Sequence, residues 1–135
     1  MNRSDIIIPH NLYDELIQIC RLELPYEACG LLVGTPYQIN SIWPMKNEIN
    51  SPNRFFVSKP IVEETIDKVK SLKQDIIAIY HSHPSTLAIP SRIDIINHLD
   101  KSVDMVIISF KENDPIMKWY RIIGGTYKER PFLII

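Results

Sequence analysis

The sequence predicts an α/β (α+β) fold, a mixed β-sheet flanked by helices. Three observations carry that expectation. Short apolar runs of strand length end at glycine or proline, and two longer stretches repeat apolar residues at three- and four-residue steps. The two kinds of segment alternate along 135 residues, the length of one ordinary domain with a single core. Residues 1–135 are therefore expected to form one domain.

The elements follow in order. "DIIIP" (5–9) reads as a short strand closed by proline. From Asn11, the residues Leu12, Leu16, Ile19, Cys20 and Leu24 make one buried helical stripe, ended by Pro25. "ACGLLVG" (28–34) is a buried strand bounded by glycine, and "TPY" turns the chain into a strand over 38–44 with Ile39 and Trp43 facing inward. Residues 45–54 read as loop, and "FFVS" starts another strand. Ile61, Val62, Ile66 and Val69 mark a helix over 59–72, with Pro60 tolerated in its first turn. "DIIAIY" (75–80) is a nearly continuous apolar strand. A short helix over 91–101 and strands over 103–110 and 118–125 complete the chain.

Composition limits the function. Hydrophobic residues at 45% and charged residues at 23% are ordinary for a soluble globular protein. Fifteen basic and sixteen acidic side chains leave a net charge of −1, with no Lys/Arg cluster to track phosphates, so nucleic acid is not an expected partner. The first apolar run has three residues before Pro9, too short for a signal-peptide core or a membrane span. Cys20 and Cys29 form neither a disulfide framework nor a CxxC pair, which fits a reducing cytoplasm.

The strand over 75–80 runs directly into His81 and His83. In extended backbone, residues i and i+2 point to one side, so both imidazoles can reach one ion. Pro84 stops the strand, and Asp94 follows in the first turn of the next helix. Two histidine nitrogens and one carboxylate make a catalytic type of zinc shell, with a fourth position left for water. Two plainer readings stay open on spacing alone. The histidines fit exposed loop positions, and "SRID" (91–94) fits a capping box with Ser91 as N-cap and Asp94 in place of the usual Glu. Glu27, just before "ACGLLVG", is either a general base for such a site or a solvent-facing residue after the first helix.

Together these residues resemble a known signature. Glu27, then His81-Ser82-His83-Pro84, then Ser91-Arg92-Ile93-Asp94 are similar to the JAMM (MPN+) zinc metalloprotease pattern of a glutamate, a distant H-[S/T]-H, seven residues and S-x-x-D. The seven are "PSTLAIP", and "YEACGLLVG" resembles the segment that carries the glutamate. The resemblance implies an MPN/JAMM-like (cytidine-deaminase-like) fold that binds one Zn2+ per chain through His81, His83 and Asp94. It implies Glu27 as acid/base and Ser91 as a donor to the oxyanion. A nucleobase deaminase would share the zinc chemistry, but its H-x-E and C-x-x-C signature is missing.

The family cleaves peptide or isopeptide bonds at the C-terminal tails of ubiquitin-like proteins. With the look of a minimal domain, this chain is most similar to the stand-alone prokaryotic branch, which acts on the diglycine end of small sulfur-carrier proteins. That partner is the first expectation. A deubiquitinase-like isopeptidase on lysine-linked conjugates is the second, and a metal-free scaffold of the MPN type is the third. The intact Glu27/His81/His83/Asp94 set argues against a scaffold. Exposed sheet edges leave a homodimer open. His98, four residues after Asp94, is expected at the surface or behind the ligands, since the shell is already complete without it. His10 is expected to be exposed, and Cys29 to be a small core hydrophobe near the site. Trp43, Phe55 and Phe56 are expected first to pack in the core and second to line a substrate groove, and the 47–54 segment is a candidate to border the site.

Overall fold

The computed structural model describes residues 5–98, 100 and 102–135. Strand β1 (Ile6–Ile8) leads into helix α1 (His10–Glu23), then strands β2 (Cys29–Thr35) and β3 (Gln38–Met45). Helix α2 (Lys59–Ser71), strand β4 (Asp75–His83) and helix α3 (Arg92–Asn97) follow. The chain ends in β5 (Asp104–Ser109), β6 (Ile116–Ile123), β7 (Thr126–Glu129) and β8 (Phe132–Ile134). The eight strands of the described residues share one sheet in the order β7-β6-β5-β4-β2-β3-β1-β8. β4 and β5 are parallel, as are β1 with β3 and β1 with β8, and the remaining pairs are antiparallel. The sheet is mixed, as expected.

Strand alternation gives the sheet two chemically different faces. On one, Leu32, Ala78, Tyr80, Val106 and Ile108 pack with Leu16 and Cys20 of α1, the predicted helical stripe. This is the main core. On the other, Leu31 and Val33 meet Val69 of α2, with Trp43 and Ile79 packed beside them. Gly30 lies where the strands are pressed closest. A Cβ there would stand 2.5 Å from the Trp43 carbonyl oxygen and 2.6 Å from the Tyr80 ring, so only glycine fits.

Several expectations are corrected. "FFVS" is not a strand: residues 54–58 are irregular, because Asn47 and Glu48 take up their backbone groups in place of a neighbouring strand. The third helix covers Arg92–Asn97 only; of the 91–101 expectation, positions 99 and 101 lie outside the described residues. Ile61 is 46% exposed, since α2 offers the sheet a narrow stripe centred on Val69. β7 and β8 were not anticipated; β7 is exposed throughout, so no apolar alternation marks it. Among the described residues, no helix is long and apolar enough to cross a membrane.

Candidate metal centre

The site is built where β4 ends. Cys29 pairs with His81 across the antiparallel β2–β4 ladder, and one step of two residues further the same register sets Glu27 alongside His83. Alternation turns Glu27, Cys29, His81 and His83 to one face. Ser82, between the histidines, points the other way and closes the junction. Its hydroxyl accepts from the Ala28 N–H at 2.8 Å, and its own N–H donates to the Ala28 carbonyl at 3.0 Å. The residue beside Glu27 is thereby locked to the residue between the two histidines.

Asp94 arrives from α3 through a capping box. The Ser91 hydroxyl accepts from the Asp94 N–H at 3.1 Å, while the Asp94 carboxylate accepts from the Ser91 N–H at 2.9 Å. This cap fixes the side chain that faces the histidines. The Nε2 atoms of His81 and His83 each lie 3.1 Å from Asp94 Oδ2 and 3.3 Å from one another. Tetrahedral ligands about 2.0–2.1 Å from a shared ion stand roughly 3.3 Å apart, so the three atoms already have the spacing of a metal shell. All three residues are buried. Among the described residues, no other group of histidines, cysteines and carboxylates converges in this way.

Hydrogen-bond chemistry also calls for a cation. His83 Nδ1 lies 2.7 Å from the Leu87 carbonyl oxygen, which can only accept, so this nitrogen carries a proton. In the neutral ring, Nε2 is then a lone pair facing a carboxylate oxygen. A proton or a metal ion must lie between them. Burial pulls the His83 pKa down, but the bonds to Asp94 and to the Leu87 carbonyl outweigh it, and the net shift is upward. His81 is shifted the other way, because full burial outweighs its bond to Asp94, and its Nδ1 has no partner among the described residues. Burial also opposes ionisation of Asp94, yet the two histidines hold its carboxyl well below the usual range.

Glu27 is 2% exposed, and its Oε1 has no hydrogen-bond partner among the described residues. Burial pushes its pKa up to about 8, with His83 opposing and Asp94 adding to the shift. A carboxyl buried in this way costs stability, and it stands beside the three convergent side chains, the setting in which perturbed acids mark a candidate site.

The surrounding segments supply what the sequence did not disclose. Three successive carbonyls of the loop after β4 are held by side chains. Thr86 accepts from the Ser109 hydroxyl at 2.5 Å, Leu87 from His83, and Ala88 from the Tyr120 hydroxyl. Asn47 is buried and fully engaged: its amide donates to the carbonyls of Glu27 (3.1 Å) and Arg54 (3.0 Å), and its oxygen accepts from the N–H groups of Phe56 and Ile49. The 47–54 segment thus borders the site. Phe55 stacks on His81 with ring centroids 5.1 Å apart. The only sequence signal for Asn47 was its place in that segment, and Ser109 and Tyr120 gave none.

The remaining candidates sort clearly. Ser91 is exposed, and its hydroxyl hydrogen remains free after the oxygen has accepted from Asp94. His98 is buried and committed to the Val103 carbonyl at 2.6 Å, outside the ligand cluster. Cys29 is buried beside His81, with burial raising its thiol pKa to about 12. His10 is exposed next to Asp14.

Residues 9–122 match the family described as prokaryotic homologs of the JAB domain. The CysO-cysteine peptidase of Mycobacterium tuberculosis is 26% identical over 133 residues, covering 96% of this chain and 91% of that protein. The solved structure of protein DSY2949 from Desulfitobacterium hafniense is 27% identical, with a TM-score of 0.85 and coverage of 96% and 92% of the two chains. AF2198, a JAB1/MPN domain protein from Archaeoglobus fulgidus, shares the fold at 18% identity, with a TM-score of 0.62 and coverage of 96% and 99%. The chain belongs to the family of prokaryotic JAB-domain homologs, the JAMM proteins that its motif resembles.

Proposed function

We propose that this protein is a zinc-dependent peptidase that hydrolyses a peptide or isopeptide bond at the C-terminal Gly-Gly tail of a small ubiquitin-like or sulfur-carrier protein. The observation that carries the reading is the convergence of His81, His83 and Asp94 beside the buried, unpaired carboxyl of Glu27. Two imidazoles and one carboxylate suit Zn2+, one per chain, with an open position. The relative named as a CysO-cysteine peptidase supports a hydrolase of the JAMM type. Two buried, unpaired cysteines support a reducing cytoplasm as its place of work.

His81, His83 and Asp94 would hold the ion, which when bound lowers the pKa of its water to about 7 and polarises a carbonyl. Glu27 takes the water's proton as the new C–O bond forms at the scissile carbonyl. The Ser91 hydroxyl donates to the carbonyl oxygen as that atom gains charge. Glu27 then hands its proton to the amine nitrogen as the C–N bond breaks, leaving a free carboxylate and a free amine. Diglycine suits the approach, since residues without side chains let the backbone come close to the ligands.

The test is intact-mass analysis of Gly-Gly-ended carrier proteins, each extended by a few residues, after incubation with the zinc-loaded protein. Chelator and Glu27→Gln serve as controls. Loss of the extension only with zinc and Glu27 present establishes the reading. Unchanged extensions alongside cleaved lysine-linked conjugates would replace it with a deubiquitinase-like isopeptidase. Protein that binds no zinc and cleaves neither would be an MPN-type scaffold.

A further inference from the structure

On the sheet face that carries His81, a chamber of about 550 Å3 opens beneath the 54–59 segment, α2 and α3. Phe55, Phe56, Val62, Ile79, Ile93 and Met105 line it, and the metal-facing residues His81 and Asp94 form part of the same wall. Its size falls in the range of roughly 300–1,000 Å3 typical of small-ligand sites. Two further lining residues, Arg54 and Lys59, are exposed and form no ion pair with any of the described residues. Asp94, the one carboxylate in the lining among the described residues, is already taken by the histidines.

A diglycine tail has no side chain to place, so an apolar chamber beside the ligands serves the other side of the scissile bond. That side bears the leaving group. Two free cations and no free acid favour an occupant with a negative end, and the apolar walls favour a large apolar side chain. A leaving residue with a free C-terminus offers both. A lysine-linked conjugate brings a bulky protein and no terminal carboxylate at that point.

We infer that this chamber selects the leaving group: a large apolar amino acid joined after Gly-Gly, its side chain against Phe55, Val62, Ile93 and Met105 and its carboxylate met by Arg54 and Lys59. The inference rests on the peptidase reading above and adds the class of residue released.

The test uses the zinc-loaded full chain and a carrier ending in Gly-Gly-X, with X as Phe, Leu, Gly or Asp, each as free acid and as amide. Rates by intact mass are expected to favour Phe and Leu over Gly and Asp by at least tenfold in kcat/KM. Amidation is expected to slow the Phe substrate several-fold, and the double variant Arg54→Gln/Lys59→Gln to erase that difference. Val62→Trp, which fills the chamber, is expected to collapse the Phe-over-Gly ratio. Equal rates for every X would overturn the inference, as would selectivity that follows the residue before Gly-Gly instead.

If no carrier is cleaved, the peptidase reading fails by itself, and the chamber is judged by direct binding. Methyl NMR signals of Ile93 and Met105 are followed during titration with L-phenylalanine, its amide and L-aspartate. Saturable binding at least tenfold tighter for phenylalanine than for the other two upholds the chamber. No saturable binding, or no preference, overturns it.

Discussion

His83 donates its Nδ1 hydrogen to the Leu87 carbonyl at 2.7 Å, and that bond leaves Nε2 as the atom facing Asp94 and His81. A loop carbonyl thus selects the tautomer of a candidate ligand. Leu87 stays in place because Ser109 holds Thr86 and Tyr120 holds Ala88 on either side. Removing both anchors, in Ser109→Ala/Tyr120→Phe, is expected to weaken zinc affinity about tenfold or more, the usual size of losses behind metal ligands. Competition with a chromophoric chelator measures it. Unchanged affinity would show that the loop does not control the His83 ring.

Direct loss of a ligand should be more severe. His81→Ala or Asp94→Asn is expected to abolish stoichiometric zinc, read by elemental analysis of dialysed protein. Chelation of the unaltered protein is expected to lower its Tm, because an ion that binds only the folded chain stabilises it by mass action. The variants should show no such change on chelation. A Tm shift that survives in both would place the ion elsewhere.

Glu27 makes a pH prediction for the metal-free protein. Its folded pKa of about 8 lies above its ordinary value of 4.5, so across that window the folded chain holds a proton that the unfolded chain has lost. Stability is therefore present below about pH 4.5 and is lost as pH rises toward 8, by an amount of order 2–4 kcal/mol. Glu27→Gln should flatten this slope, and bound zinc should flatten it too by favouring the carboxylate. Denaturant unfolding across pH 5–9 tests it. In activity, the same substitution is expected to cost about 10²–10⁴-fold while zinc content stays the same.

The motif residues were legible because their spacing is itself the chemistry. His81 and His83 share a face by strand alternation, and Ser91 and Asp94 meet by helix capping. The α1 stripe was legible for the same reason: Leu16 and Cys20 recur at the helical period and are buried. What escaped were relations with no local period. The path of Phe55 over His81 depends on Asn47, whose four bonds reach backbone groups up to 20 residues away. β7 and β8 owe their place to pairing with β6 and β1 rather than to any pattern of their own.

Asn47 therefore carries a prediction of its own. Asn47→Ala would strip partners from the carbonyls of Glu27 and Arg54 and from the N–H of Phe56, in a buried place that water does not easily serve. The expected cost is about 2–4 kcal/mol of stability. Activity should fall further than the folded fraction does, because Glu27 and the aromatic wall lose a common fastening. Activity per folded molecule equal to that of the unaltered protein would make Asn47 purely structural.

Ser91 caps α3 and is the oxyanion donor of the proposed mechanism, and the two roles can be separated. Its oxygen accepts from the Asp94 N–H, while its hydrogen is free for a substrate oxygen. Ser91→Ala removes both. It is expected to cost about 1 kcal/mol of stability as a lost cap and about 10²-fold in kcat as a lost oxyanion donor. Ser91→Thr keeps both functions and should recover most of each. Ser91→Asp keeps only the acceptor, so it should retain the cap while kcat stays low. Melting curves with single-turnover rates on one Gly-Gly-extended carrier give both quantities. If Ser91→Asp restored kcat along with stability, the hydroxyl would matter only through the capping of Asp94, and the donor role would be withdrawn.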